Sequence, residues 1–161
     1  MWPRKGDNPN AVDPVLVQAH AVPKRHPSGL GDRSGANILC LNVYTSREGG
    51  IPEGVVKAVR AWMENDDGSP LDLGQAPVEK DGSFFVQLPS ERPVRFELLD
   101  GNAKTVRAQQ SWFWMRRGEQ RVCVGCHAGP ERAPDNAVPA VLLRTTDPVK
   151  LCGNCHAEKG H

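Results

Sequence analysis

The residues whose types and spacing promise most chemistry are two pentapeptides, Cys123-Val124-Gly125-Cys126-His127 and Cys152-Gly153-Asn154-Cys155-His156. Two thiols separated by two residues can add across the two vinyl groups of one haem. A histidine directly after the second thiol then reaches the iron, which is why c-type attachment uses Cys-x-x-Cys-His. The chain is therefore expected to carry two covalent c-type haems. Cys123, Cys126, Cys152 and Cys155 would form the thioethers, and His127 and His156 would be the proximal iron ligands. A zinc ribbon is the rival reading, since C-x2-C…C-x2-C can hold one tetrahedral ion through four thiolates. The segment between the pairs, residues 127–151, is 25 residues long and slightly exceeds the usual spacer of about 15–20. A four-cysteine site also has no need of a histidine after each pair. Both points favour haem, with a disulfide or dithiol redox pair as the remaining alternative.

Each iron has a sixth position, and the other histidines are His20, His26 and His161. Two histidines on one iron give a low-potential carrier, whereas methionine raises the potential. His20 and His26 flank Ala21-Val22-Pro23-Lys24-Arg25 in a proline-punctuated arm. Histidines in such an arm are ordinarily solvated, but two irons and few donors make at least one of His20 and His26 an expected distal ligand, in this chain or in a neighbour. His161 follows too closely on His156 to reach the far face of the same haem, so it is free or donated elsewhere. Met115 is a second candidate ligand, set against plain packing beside Trp114. Cys40, between Leu39 and Leu41, reads as a small buried hydrophobe or as an odd thiol able to crosslink subunits. In Trp112-Phe113-Trp114, strand alternation sets Phe113 opposite the two tryptophans; the run packs in a core and is compatible with walling the first haem. Arg116, Arg117 and Arg121 read as solvated or as partners of haem propionates.

The elements that must position these residues are short. A length of 161 residues suits one domain, with at most a small appendage, and 14 prolines with 16 glycines favour turns and extended segments. Residues 1–35 read as an extended, proline-rich arm with at most a short strand near Val15–Ala21. Strands are expected at Ile38–Tyr44, Val55–Trp62, Ser83–Leu88 and Val94–Leu99, with one or two more between Lys104 and Met115. Residues 64–82 read as a polar loop. The expected fold is mainly β: an antiparallel β-sandwich over about residues 36–115, followed by an irregular or short-helical segment, 116–161, bearing both pentapeptides. No apolar run approaches the length of a transmembrane helix. A net charge of +1 without a basic stripe argues against nucleic acid. No apolar run follows Met1-Trp2-Pro3-Arg4-Lys5, so no leader is visible and the numbering is expected to start at a mature or fragment end. An extracytoplasmic location, periplasm or cell exterior, is expected from the chemistry of haem attachment alone.

Two blocks carry a resemblance: Leu73-Gly-Gln-Ala-Pro-Val-Glu-Lys-Asp-Gly-Ser-Phe-Phe-Val-Gln-Leu-Pro89, and Gln110-Ser-Trp-Phe-Trp-Met-Arg-Arg-Gly-Glu-Gln-Arg-Val-Cys-Val-Gly-Cys-His127. Together they resemble the domain family named after the middle domain of the hydrazine synthase alpha subunit, over about residues 36–143. The resemblance implies a β-sandwich with one c-type haem at its end, matching Cys123, Cys126 and His127; the second pentapeptide lies beyond it. The first expectation for function is an exported dihaem cytochrome passing electrons between redox partners, as a homo-oligomer, a filament or part of a larger multihaem complex. The alternative is a haem-bearing subunit or fragment of a multihaem enzyme acting on small nitrogen or oxygen species. The haem would supply the redox chemistry and the protein its ligands and orientation.

Overall fold

The computed structural model describes residues 34–46, 49–125 and 136–153. Among the described residues eight strands and one short helix follow in order: β1 Gly35–Cys40, β2 Ala58–Glu64, β3 Pro70–Pro77, β4 Phe84–Pro89, β5 Val94–Leu99, β6 Thr105–Ala108, β7 Gln120–Cys123, α1 Ala140–Arg144 and β8 Val149–Lys150. They form two four-stranded sheets, one ordered β7-β1-β4-β8 and the other β3-β2-β5-β6.

Alternation builds the core. In the antiparallel β1–β4 pair, Ala36 lies opposite Leu88, Ile38 opposite Val86 and Cys40 opposite Phe84, and all six are buried. Their intervening neighbours face the other way, as the two-residue side-chain period requires. Asn37 and Gln87 are one such outward pair, joined by a hydrogen bond from Gln87 Nε2 to Asn37 Oδ1 at 3.0 Å. The second sheet answers with Val59, Ala61, Val94 and Leu98, which are buried in the same cluster. Each fully buried aliphatic side chain of this kind contributes roughly 1.5–3 kcal/mol, so the intersheet core is the main source of stability.

The mainly β, two-sheet architecture is as expected, with differences inside it. The first sheet is mixed: β7 runs parallel to β1 and β8 parallel to β4. Both of these strands come from the segment read as irregular, so the sandwich borrows edge strands from the chain around each pentapeptide. Residues 70–77, read as loop, form β3 and pair antiparallel with β2. Only Leu73 and Ala76 of that strand are buried, a pattern too sparse in apolar residues to stand out in the sequence. The first strand stops at Cys40 because the chain turns there. Asn42 Oδ1 accepts the Tyr44 N–H at 2.8 Å, an Asx turn of the kind that competes with a ladder. The segment Lys104–Met115 yields only β6 and an isolated bridge between Phe113 and Val94.

Candidate functional site

The first pentapeptide is anchored by β7. Cys40 lies opposite Cys123 in the parallel β1–β7 register, and the Leu41 N–H donates to the Cys123 carbonyl at 2.9 Å. Beyond the strand, Gly125 is pressed against the Asn42–Thr45 turn: a Cβ at this position would stand 2.3 Å from the Thr45 carbonyl oxygen. Only glycine fits there.

Cys123 and Gly125 open onto a cavity of about 370 Å³ between the sheets, bounded also by Ile38, Cys40, Phe84, Phe96, Leu98 and Phe113. Phe84 and Phe96 meet edge-on with ring centroids 5.6 Å apart, and Phe96 and Phe113 stand at the same separation, tilted. The result is an aromatic wall. Two cations reach the same space, Arg107 and Arg121. Arg121 pairs with Glu119 at 2.7 Å and lies over the Phe113 ring. Arg107 donates to Ser46 Oγ at 2.9 Å and to the Gly49 carbonyl at 2.8 Å. Burial pushes the Cys123 thiol up from its ordinary value, and the neighbouring Arg121 charge opposes this. For Glu119, burial opposes ionisation, but the Arg116 N–H and Arg121 outweigh it and hold the carboxyl below its ordinary range.

The second pentapeptide is anchored at the other edge of the same sheet. β8 pairs with β4, and the next residue, Leu151, is buried in the core and donates its N–H to the Gln87 carbonyl. Gly153 then crosses to the opposite sheet. Its N–H donates to the Leu73 carbonyl at 3.0 Å, with φ +63, a backbone region that glycine enters without penalty. Each pentapeptide thus contains a glycine that docks its own backbone onto the sandwich. The glycines were visible in the sequence, but their partners, Thr45 and Leu73, lie far along the chain.

The position of Cys123 relative to Cys152 decides one alternative. Strands β7 and β8 are separated by β1 and β4, three steps of roughly 4.8 Å each. They also run in opposite directions. Cys123 is level with Cys40 and Phe84, while Cys152 follows Lys150, the partner of Gln87 near the far end of β4. The two thiols therefore lie at opposite corners of the sheet, about 20 Å apart by strand geometry. Four thiolates around one zinc stand only about 2.3 Å from the metal, so no single ion can join Cys123 to Cys152.

Of the other residues singled out in the sequence, Met115 is buried in the core at 1% exposure and is not part of the cavity lining. Packing accounts for it. The aromatic run divides as alternation requires: Phe113 joins the cavity, Trp114 is exposed, and Trp112 stacks under Arg95 at 4.8 Å. Arg121 reaches the cavity, whereas Arg117 pairs with Glu91 on the surface. Sequence reasoning missed Arg107 and Phe96, because nothing local distinguishes an inward strand residue beside a cavity from any other. Cys126, His127, Cys155, His156, His20, His26 and His161 lie outside the described residues. Among the described residues no group of three or more His, Cys, Asp or Glu could hold a metal ion, and no helix is long and apolar enough to cross a membrane.

The chemistry of the cavity suits a covalently held haem. The Cys123 thiol and a close-packed glycine are among its lining, apolar rings form its walls, and two guanidinium groups reach it while bonded to protein partners, Arg121 to Glu119 and Arg107 to Ser46 and Gly49.

Residues 65–128 match the family model of the hydrazine synthase alpha subunit middle domain. The match runs from just before β3 through the first pentapeptide and ends before the second; it is shorter at both ends than the expected span of about 36–143. Over 60 residues the chain is 33% identical to hydrazine synthase subunit alpha of Kuenenia stuttgartiensis, which is 37% of this chain and 7% of that protein. The solved hydrazine synthase of Kuenenia stuttgartiensis superposes with a TM-score of 0.61 at 21% identity, over 70% of this chain and 20% of that one. At that identity the structural likeness is one of fold. This chain thus spans a small fraction of the length of its hydrazine synthase relatives.

Proposed function

We propose that this chain is a dihaem c-type module of a multihaem redox assembly, of the kind in which a haem-bearing subunit serves chemistry on small nitrogen or oxygen species. The observation that carries this reading is the cavity beside Cys123, with its aromatic wall and two arginines. In this reading Cys123 and Cys126 hold the first haem by thioethers and His127 ligates its iron; Cys152, Cys155 and His156 do the same for the second. Each haem supplies one-electron redox chemistry when bound. The chain's own residues then have plain tasks. Phe84, Phe96 and Phe113 would pack against the group and exclude water, while Arg107 and Arg121 would offer positive charge to its acidic substituents. His20 or His26 is the proposed sixth ligand of one iron, and in this reading the other iron would keep its sixth position open.

A second reading is an exported electron carrier between redox partners, within a homo-oligomer, filament or larger complex. The opposite-corner arrangement of Cys123 and Cys152 favours it, because a relay needs separate points of entry and exit. Both readings place the protein outside the cytoplasm.

One experiment tests the shared claim and then separates the two. The intact mass of the chain matured in a cytochrome-c-competent host should exceed that of the polypeptide by two haems. Replacing Cys123 and Cys126 by alanine should remove one haem, and replacing Cys152 and Cys155 the other. Carbon monoxide binding by the reduced dihaem protein supports the enzyme-subunit reading; its failure to bind supports the carrier. A chain that matures with no covalent haem overturns both.

A further inference from the structure

Cys40 has no task in the reading above, yet it is the register partner of Cys123. Strands β1 and β7 run parallel with Cys40 opposite Cys123, and both residues line the same cavity. Adjacent strands lie roughly 4.8 Å apart, inside the span of about 4.4–6.8 Å that a disulfide requires between Cα atoms. Cys40 is buried in the core, and Cys123 is partly buried against the same cluster.

We propose that Cys40 and Cys123 form a reversible disulfide in the haem-free chain, and that this bond gates haem attachment at the first pentapeptide. The gate rests on the haem reading above; the disulfide does not. The oxidant is a small-molecule or protein disulfide, acting by thiol exchange. One Sγ–Sγ bond forms between Cys40 and Cys123, and the oxidant's S–S bond breaks. Two protons and two electrons leave with the oxidant as its two thiols. A dithiol reverses the step. A sulfur held in a disulfide cannot add to a vinyl group, so oxidation at Cys123 and haem attachment at Cys123 exclude each other. Cys40 would then be a redox partner of the attachment site, where its sequence context shows only a small buried hydrophobe.

The test uses the full-length chain produced without haem and reduced. Samples are incubated in glutathione buffers from reducing to oxidising, alkylated, digested and mapped by mass spectrometry. The expected product of oxidation is a peptide joining Cys40 to Cys123. Pre-oxidised chain should then acquire haem at the first pentapeptide several-fold less than reduced chain, and Cys40→Ser and Cys40→Ala should abolish that difference. An oxidised chain in which Cys123 is joined only to Cys126 overturns the proposal, as does suppression that persists in both Cys40 variants. A Cys40–Cys123 crosslink in a chain that accepts no haem even when reduced overturns the haem reading and the gate together, while the disulfide stands.

Discussion

At the scale of single residues, the pentapeptides are legible in the sequence but their docking is not. Cys-x-x-Cys-His suggests its proposed chemistry locally, because a covalently held haem would draw all those groups from five positions. The role of Gly125 depends on the Thr45 carbonyl, and no local pattern encodes a contact across 80 positions. Replacing Gly125 by alanine should force the turn and the pentapeptide apart, since a Cβ would stand 2.3 Å from that oxygen. We expect a loss of roughly 1–3 kcal/mol in stability and poor haem occupancy at the first pentapeptide, with the second unaffected. Haem counting by mass after tryptic digestion checks this. Cys123 gives a pH prediction. Burial raises its thiol pKa, so the folded haem-free chain holds that proton more tightly than the unfolded chain does. The resulting stability is complete below the ordinary thiol pKa and is lost as pH rises through the raised value. Urea midpoints should therefore fall more steeply from neutral to alkaline pH in the haem-free parent than in Cys123→Ser. A thioether at Cys123 should remove the difference.

At the scale of elements, strands with dense apolar alternation were readable and sparse ones were not. β4 and β5 lie within a residue of where the pattern set them, because nearly every second side chain is apolar. β3 was hidden by its exposed, polar face, and β7 and β8 by their brevity. Their existence depends on partners already in place, β1 and β4, and not on their own four and two residues. The helix α1 is likewise held from outside. Pro139 provides no side-chain cap. Instead, Asp81 Oδ2 accepts the Ala140 N–H at 2.7 Å, and the buried Ser83 hydroxyl accepts the Val141 N–H at 3.0 Å. Ser83 in turn donates to Asp81 Oδ1 at 2.7 Å. Burial opposes ionisation of Asp81, but these donors outweigh it and hold the carboxyl below its ordinary range. Asp81→Ala should cost about 1–2 kcal/mol, read as a lower thermal midpoint. Because the folded pKa is depressed, the contribution is present above the ordinary carboxylate pKa and is lost as pH falls through the lower folded value. Parent and variant should therefore converge in acid. Leu151→Ala, which opens a cavity beside the second pentapeptide, should cost more, about 2–5 kcal/mol.

At the scale of the whole molecule, the fold class was legible because turns and short apolar runs recur along the chain, whereas the mixed first sheet was not. Nothing in β7 or β8 states which strand it will join or in which direction. Residues 1–33, within the segment expected to form an extended arm, lie outside the described residues, and His20 and His26 among them are proposed as ligands to irons that would be attached a hundred residues further on. If they serve, replacing both by alanine should free a coordination position, and the reduced protein should gain a carbon monoxide complex that the parent lacks. An unchanged spectrum in the double variant would point to ligands from elsewhere.

The order β7-β1-β4-β8 carries one more consequence. Among the described residues, the outermost strands of the first sheet are the very strands that lead into the two pentapeptides, so a cofactor attached there would stand beside a sheet edge with its row of backbone donors and acceptors. Such rows are templates for unwanted strand pairing between chains, and proteins commonly guard them with bulk or charge. A pigment fixed beside each border would act as a bumper. Maturation would then do for solubility what edge lysines or prolines do elsewhere, and chains that miss it would be the ones to clump.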